Sequence, residues 1–126
     1  MSRDTRPVYL DLLRIHLPLP GWVSILHRVS GALLFLALPL GVWALSASLS
    51  SEAGFRAMAG AAGSVAGKLL LVGLTWAFSH HLFAGLRHLA LDAHCGTSWA
   101  QARRSSLAVL TASAAVTLAV AWRLLA

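Results

Sequence analysis

The sequence predicts an all-α integral membrane protein with three transmembrane helices, and three observations carry that expectation. The 126 residues are 58% hydrophobic and only 11% charged, with a mean hydropathy of +0.74, whereas a soluble domain carries about 25% charged residues. The charges leave three long gaps: 23 uncharged residues between Arg28 and Glu52, 18 between Lys68 and Arg87, and 18 between Arg104 and Arg123. The nine Arg and one Lys stand mostly outside those gaps and outnumber four acids, which is how a membrane protein anchors its loops against anionic lipid. The bases form no continuous run that could track a nucleic-acid backbone, so the net charge of +6 reads as membrane topology and argues against DNA or RNA as a partner.

Residues 1–21 read as a cytoplasmic surface arm, because Pro7, Pro18 and Pro20 are interspersed with charge. The first span is placed at 22–49. Small residues follow it at Ser46 to Ser51, as they follow a signal peptide, but the 28 residues up to Arg28 exceed a simple basic leader. Pro39 removes one backbone hydrogen bond within this span, a loss that neighbouring helices can make good in a bilayer. The Ala/Gly stretch from Ala57 to Gly67 reads as a loop or a surface helix, and no internal repeat is visible.

The second span is placed at 65–91 and the third at 104–125. Their uncharged cores reach only about 27 Å at 1.5 Å per residue, extended by Lys68, Arg87 and Arg123 snorkelling toward the headgroups. Ala108/Ala112 and Ala115/Ala119 in the third span allow close helix approach at four-residue spacing. The whole chain, 1–126, reads as one membrane domain. Arg3, Arg6, Arg14, Arg28, Arg87, Arg103 and Arg104 gather on one side, against Arg56, Lys68 and Arg123 on the other. The positive-inside rule then puts the N-terminus in the cytoplasm and the C-terminus outside.

Cys95 is the sole cysteine, so it forms no internal disulfide, and with no second Cys before it the Cys95/His94 pair is not a covalent haem-attachment motif. No HExxH or paired-Cys spacing points to a structural metal.

Chemistry is sought among ionisable residues at membrane depth, where burial is costly and tends to mark a site. Ser24, His27 and Arg28 share a face at the start of the first span, at spacings of three and four residues. His80, His81, Arg87 and His88 lie toward the end of the second. The two spans run antiparallel, so both clusters sit at one depth and can face one site. His81 and His88 are two turns apart with Gly85 between them, a side-chain-free patch that suits a flat cofactor. His81 lies about 16 Å inside Asp92, near the bilayer middle, where an imidazole can ligate haem iron through one nitrogen with the other held by an acceptor. The competing reading is that these His bond neighbouring helix carbonyls and hold the bundle together. Ser24 and Arg28 offer a hydroxyl and a guanidinium to a carbonyl oxygen or a propionate, although Arg28 also serves as a topology anchor and Ser24 as the N-cap of the first span.

Arg6-Pro7-Val8-Tyr9-Leu10-Asp11-Leu12, then Ser24-Ile25-Leu26-His27-Arg28-Val29-Ser30-Gly31, then His81-x-x-x-Gly85-x-Arg87-His88-x-x-x-Asp92 closely resemble the cytochrome b large membrane-anchor subunit of succinate dehydrogenase, over essentially the whole chain. The resemblance implies half of a two-chain haem-binding helical bundle in a bacterial cytoplasmic (inner) membrane. His81 would be the axial ligand of a haem b whose other ligand comes from a small partner anchor subunit. Ser24 and Arg28 would line a quinone pocket, with His27 and Arg28 near the haem propionates and His88 at the haem edge. The implied partners are that small anchor, an iron-sulfur subunit, a flavoprotein subunit and lipid. The implied activity is electron transfer from succinate to quinone, with protons arriving from the cytoplasm.

His80 lies outside the family motif and reads as a packing or lipid-facing residue, while His16 and His94 acquire no role. Asp92 reads as a loop carboxylate paired with Arg28 or Arg87, or as a proton relay. His27 as an intrachain second haem ligand is awkward, since it reads as shallower than His81. A fumarate reductase anchor, a haem-less structural anchor and a small proton or ion carrier are the alternatives; crowding of ionisable groups on one side weighs against the carrier.

Overall fold

The computed structural model describes residues 16–126, and the arm up to residue 15, with Arg3, Arg6, Arg14 and the Arg6–Leu12 motif, lies outside the described residues. Four helices follow one another: α1 (Leu19–Ser50), α2 (Glu52–Gly63), α3 (Val65–Asp92) and α4 (Trp99–Leu125). Helices α1, α3 and α4 are long and apolar enough to cross a membrane, so the chain is an all-α integral membrane protein. At 1.5 Å per residue their 32, 28 and 27 residues span about 48, 42 and 40 Å. All three exceed the roughly 30 Å hydrocarbon core. Helices α3 and α4 run on through the charged residues that bound their apolar stretches, so their short uncharged gaps understate them.

Helix α1 begins at Leu19 with Pro18 as its N-cap and no side-chain cap bond. Pro20 stands in the first turn, where its missing N–H would be unpaired anyway and its fixed φ favours the helix. Ser24 is therefore a full turn inside α1 and is not its N-cap, which corrects that reading. The helix is continuous through Pro39.

Two serine caps turn the chain between spans. Ser51 ends α1 and caps α2, accepting from the Gly54 N–H at 3.0 Å, and Ser64 does the same for α3 with Gly67 at 3.0 Å. Each glycine is required, because a Cβ at Gly54 or Gly67 would run into the backbone carbonyl of Ala47 or Ala61. The Ala/Gly stretch thus contributes to a short surface helix, carrying an exposed Glu52–Arg56 pair one turn apart. Ser98 caps α4, with its Oγ 3.4 Å from the Gln101 N–H. It follows a tight turn in which His94 (φ 60°) and Gly96 (φ 77°) adopt left-handed backbone. Helix α4 therefore starts at Trp99, more than a turn before Arg104.

The interior is small and polar, whereas large apolar side chains such as Phe35, Leu38, Trp43, Phe78 and Trp122 point outward, the arrangement a lipid solvent favours. Helix α3 packs against both α1 and α4 around Val23, Ala84 and Val109, flanked by Phe83 and Leu110. Ser30, Ser79, Ser106 and Ser113 are buried with them. The tight stripe of α4 runs through Ser106, Val109 and Ser113. Ala108, Ala115 and Ala119 are exposed and Ala112 only half-buried, so the alanine pairs do not make the close contact inside this chain. The serines can face inward because each hydroxyl bonds its own helix, Ser106 to the Ala102 carbonyl (2.7 Å) and Ser113 to the Val109 carbonyl (2.8 Å).

Candidate functional site

On α1, Ser24, His27 and Gly31 fall at successive three- and four-residue steps and share one stripe, with Arg28 next to it. On α3, His81, Gly85 and His88 do the same. Because α1 and α3 pack together in opposite directions, the two stripes meet. The His27 and His81 rings stack with centroids 4.3 Å apart and planes 11° from parallel, and the His88 ring lies 5.0 Å from that of His27, tilted by 43°. His27 is thus level with His81, which corrects the expectation that it sits shallower. Stacked face to face, the two imidazoles cannot both aim a ring nitrogen at one iron between them, so this pair is not a coaxial ligand set.

The hydrogen bonds fix the Nδ1 proton of His81. Its Nδ1 lies 3.0 Å from the backbone carbonyl oxygen of His27, which accepts but cannot donate, so Nδ1 carries a proton, and in the neutral ring Nε2 is the nitrogen with the lone pair. Ser30 Oγ donates to the same carbonyl at 2.9 Å and lies 3.4 Å from Nδ1. The side-chain-free positions are covered by imidazole rings. A Cβ at Gly85 would stand 3.5 Å from His27 Nε2, and one at Gly31 would stand 2.8 Å from His81 Cε1. The glycines make room for the two rings, and an imidazole with its Nδ1 already bonded to a carbonyl suits a haem bound through Nε2. Among the described residues, no three ligands are placed to chelate a metal ion. The cluster offers one oriented nitrogen donor.

Ser24 is half-buried one turn nearer the start of α1, and Arg28 is exposed beside it. Arg87, although in the same sequence motif as His81 and His88, turns away from them. It is buried, its Nε donates to Ser105 Oγ at 3.0 Å and its Nη2 to the Ala102 carbonyl at 3.4 Å, clamping α3 to the start of α4. This corrects the expected pairing of Asp92. Among the described residues the one ion pair is Glu52–Arg56, and exposed Asp92 reaches neither Arg28 nor Arg87.

His80 is fully buried and packs against Trp76, ring centroids 5.6 Å apart and nearly parallel, so it is a packing residue and not lipid-facing. Neither of its ring nitrogens finds a hydrogen-bond partner among the described residues. His16 and His94 are exposed and stand apart from this cluster. Sequence reasoning gave no role to Ser30 or Gly31, although both follow His27 at the spacing that puts them on its side of the helix.

Comparison with known proteins agrees with this architecture. The family described as succinate dehydrogenase/fumarate reductase transmembrane subunit matches residues 2–120. The chain is 38% identical over 113 residues to the succinate dehydrogenase cytochrome b556 subunit of Paracoccus denitrificans, covering 90% of this chain and 87% of that one. It is also 38% identical over 128 residues to the protein of the same description from Coxiella burnetii (strain RSA 493 / Nine Mile phase I), covering 93% of this chain and 95% of that one.

Proposed function

Because this chain belongs to the succinate dehydrogenase/fumarate reductase transmembrane subunit family, we propose that it is the cytochrome b membrane anchor of a bacterial succinate:quinone oxidoreductase. It carries haem b through His81, forms part of a quinone site, and docks the flavoprotein and iron-sulfur subunits at the cytoplasmic face. The observation that carries this reading is the bond from His81 Nδ1 to the His27 carbonyl, which leaves Nε2 as a ready iron ligand.

By its resemblance to the family, His81 would hold the haem together with a histidine of a small partner anchor subunit. Bound haem b supplies a one-electron relay beside the quinone. His27 and the exposed Arg28 would hold the haem propionates, and His88, whose ring lies 5.0 Å from that of His27, would border the group. The Ser24 hydroxyl and Arg28 guanidinium, one turn apart at the exposed end of the stripe, donate hydrogen bonds to a quinone oxygen. They stabilise the negative charge that develops there as the quinone takes up electrons. The basic ends of α1 and α3 and the Arg103/Arg104 pair of α4 put the N-terminus in the cytoplasm and the C-terminus outside.

Purification of the tagged chain from its own membranes in mild detergent tests this reading. A b-type band in the reduced-minus-oxidised spectrum, with flavin and iron-sulfur subunits co-purifying, is the expected result. Soluble subunits without haem would make the chain a haem-less anchor, a reading favoured by the fact that the His27–His81 contact also holds α1 to α3. Neither haem nor partners would overturn the proposal.

A further inference from the structure

Gly31 of helix α1 faces the His81 imidazole. A Cβ built there would lie 2.8 Å from Cε1, 3.2 Å from Nδ1 and 3.7 Å from Nε2, and these three ring atoms are its nearest neighbours. A Cβ is fixed to the backbone, so any side chain at this position must displace the ring. The ring is not free to move without loss. Its Nδ1–H is bonded to the His27 carbonyl at 3.0 Å and its face is covered by the His27 ring. The carbonyl itself is held by the hydroxyl of Ser30, which is completely buried, so water does not substitute for the lost bond.

We propose that the Ser30–Gly31 step of α1 is a positioning element for the haem ligand: Gly31 leaves the space that sets the orientation of the His81 ring, and Ser30 with the His27 carbonyl sets which nitrogen carries the proton. This rests on His81 being the axial ligand. The logic is that of any outer-shell partner of a ligating histidine. An acceptor on one nitrogen fixes the tautomer, fixes the ring plane and raises the basicity of the other nitrogen. Here the acceptor comes from the backbone of a neighbouring helix, so the approach of that helix decides the ring's position, and a glycine permits it. An added methyl at residue 31 rotates the ring off the carbonyl and away from the axis on which an iron would be held.

The test compares wild type, Gly31→Ala and Gly41→Ala in the whole complex, reading haem per flavin, the reduced-minus-oxidised band and the low-spin ferric electron paramagnetic resonance signal. Gly41 lies on the same helix, and a Cβ there meets nothing within 4 Å. Gly31→Ala is expected to retain haem about tenfold less firmly, with a shifted resonance signal, as losing an outer-shell partner does; Gly41→Ala matches wild type. Wild-type haem content and spectra in Gly31→Ala would overturn the positioning role, whereas a wild type without haem would overturn the ligand reading beneath it. If Gly31→Ala fails to assemble, the Gly31→Ala/His81→Ala double variant decides. Assembly equal to that of His81→Ala alone identifies the imidazole as what the methyl strikes, and worse assembly contradicts the proposal.

Discussion

The backbone carbonyl of His27 and Nδ1 of His81 lie 3.0 Å apart across the contact between α1 and α3, joining residues 54 positions apart in sequence. This bond is at once a tie between two helices and the outer shell of a candidate ligand. Substitutions on its two sides separate those roles, because one can alter packing without touching His81 and the other cannot.

Gly85 lies on the His27 side. A Cβ there meets His27 Nε2 at 3.5 Å, ordinary van der Waals contact. Gly85→Ala is therefore expected to be tolerated, raising stability by up to about 1 kcal/mol through the unfolded chain. Gly85→Leu drives the His27 ring out and lowers stability by about 1–3 kcal/mol. Thermal unfolding in detergent reads both; equal melting of the two variants would show that no ring packs over Gly85.

Arg87 ties α3 to the first turns of α4 by two charge-assisted bonds. Arg87→Ala should lose about 1.5–3 kcal/mol, the range for hydrogen bonds to charged groups. Arg87→Lys keeps the charge but not the fork, and should recover only part of that loss. Haem content is expected to follow stability and not to fall selectively, since the guanidinium faces Ser105 and not the histidines; a haem-specific loss in a stably folded Arg87→Ala would contradict this.

The interior of α4 is defined by serines. Ser113 is buried, and its carbonyl lies 3.5 Å from Ser79 Oγ of α3. Ser113→Leu is expected to destabilise the bundle by about 1–3 kcal/mol through overpacking. Ala115→Leu, on an exposed face of the same helix, should stay within about 0.5 kcal/mol in the isolated chain. The reverse order would mean that α4 packs through its alanines.

In the proposed function Ser24 and Arg28 serve the quinone and not the iron. Ser24→Ala and Arg28→Leu should each lower quinone reduction by the assembled complex about tenfold or more, as removal of one donor from a developing negative charge does. The haem band should persist in Ser24→Ala. Full quinone reduction in both variants would remove these residues from the site.

Much of this was legible in the sequence. Charge gaps predicted the three spans, and antiparallel order predicted that the clusters on α1 and α3 could face one site, but not that His27 would stand level with His81. The misreadings share a cause, because a linear pattern gives the face of a helix but not which neighbour that face meets. Arg87 shares a motif with His88 yet turns to α4. Alanine and serine are equally small at the α3–α4 contact, and only the serine hydroxyls' bonds to their own helix let them lie inside. Ser24 resembled a cap because prolines obscured the true start of α1. Gly31 could not be read as a contact at all, since its role is the space it leaves for a ring fifty residues away.

The most direct measurement is the reduced-minus-oxidised spectrum of the purified complex for wild type, His81→Ala and His88→Ala. Loss of the b-type band in His81→Ala alone, with the band kept in His88→Ala and the soluble subunits still bound in both, is the expected outcome. An unchanged band in His81→Ala would contradict the assignment of this imidazole as the iron ligand and, with it, the functional reading of the site.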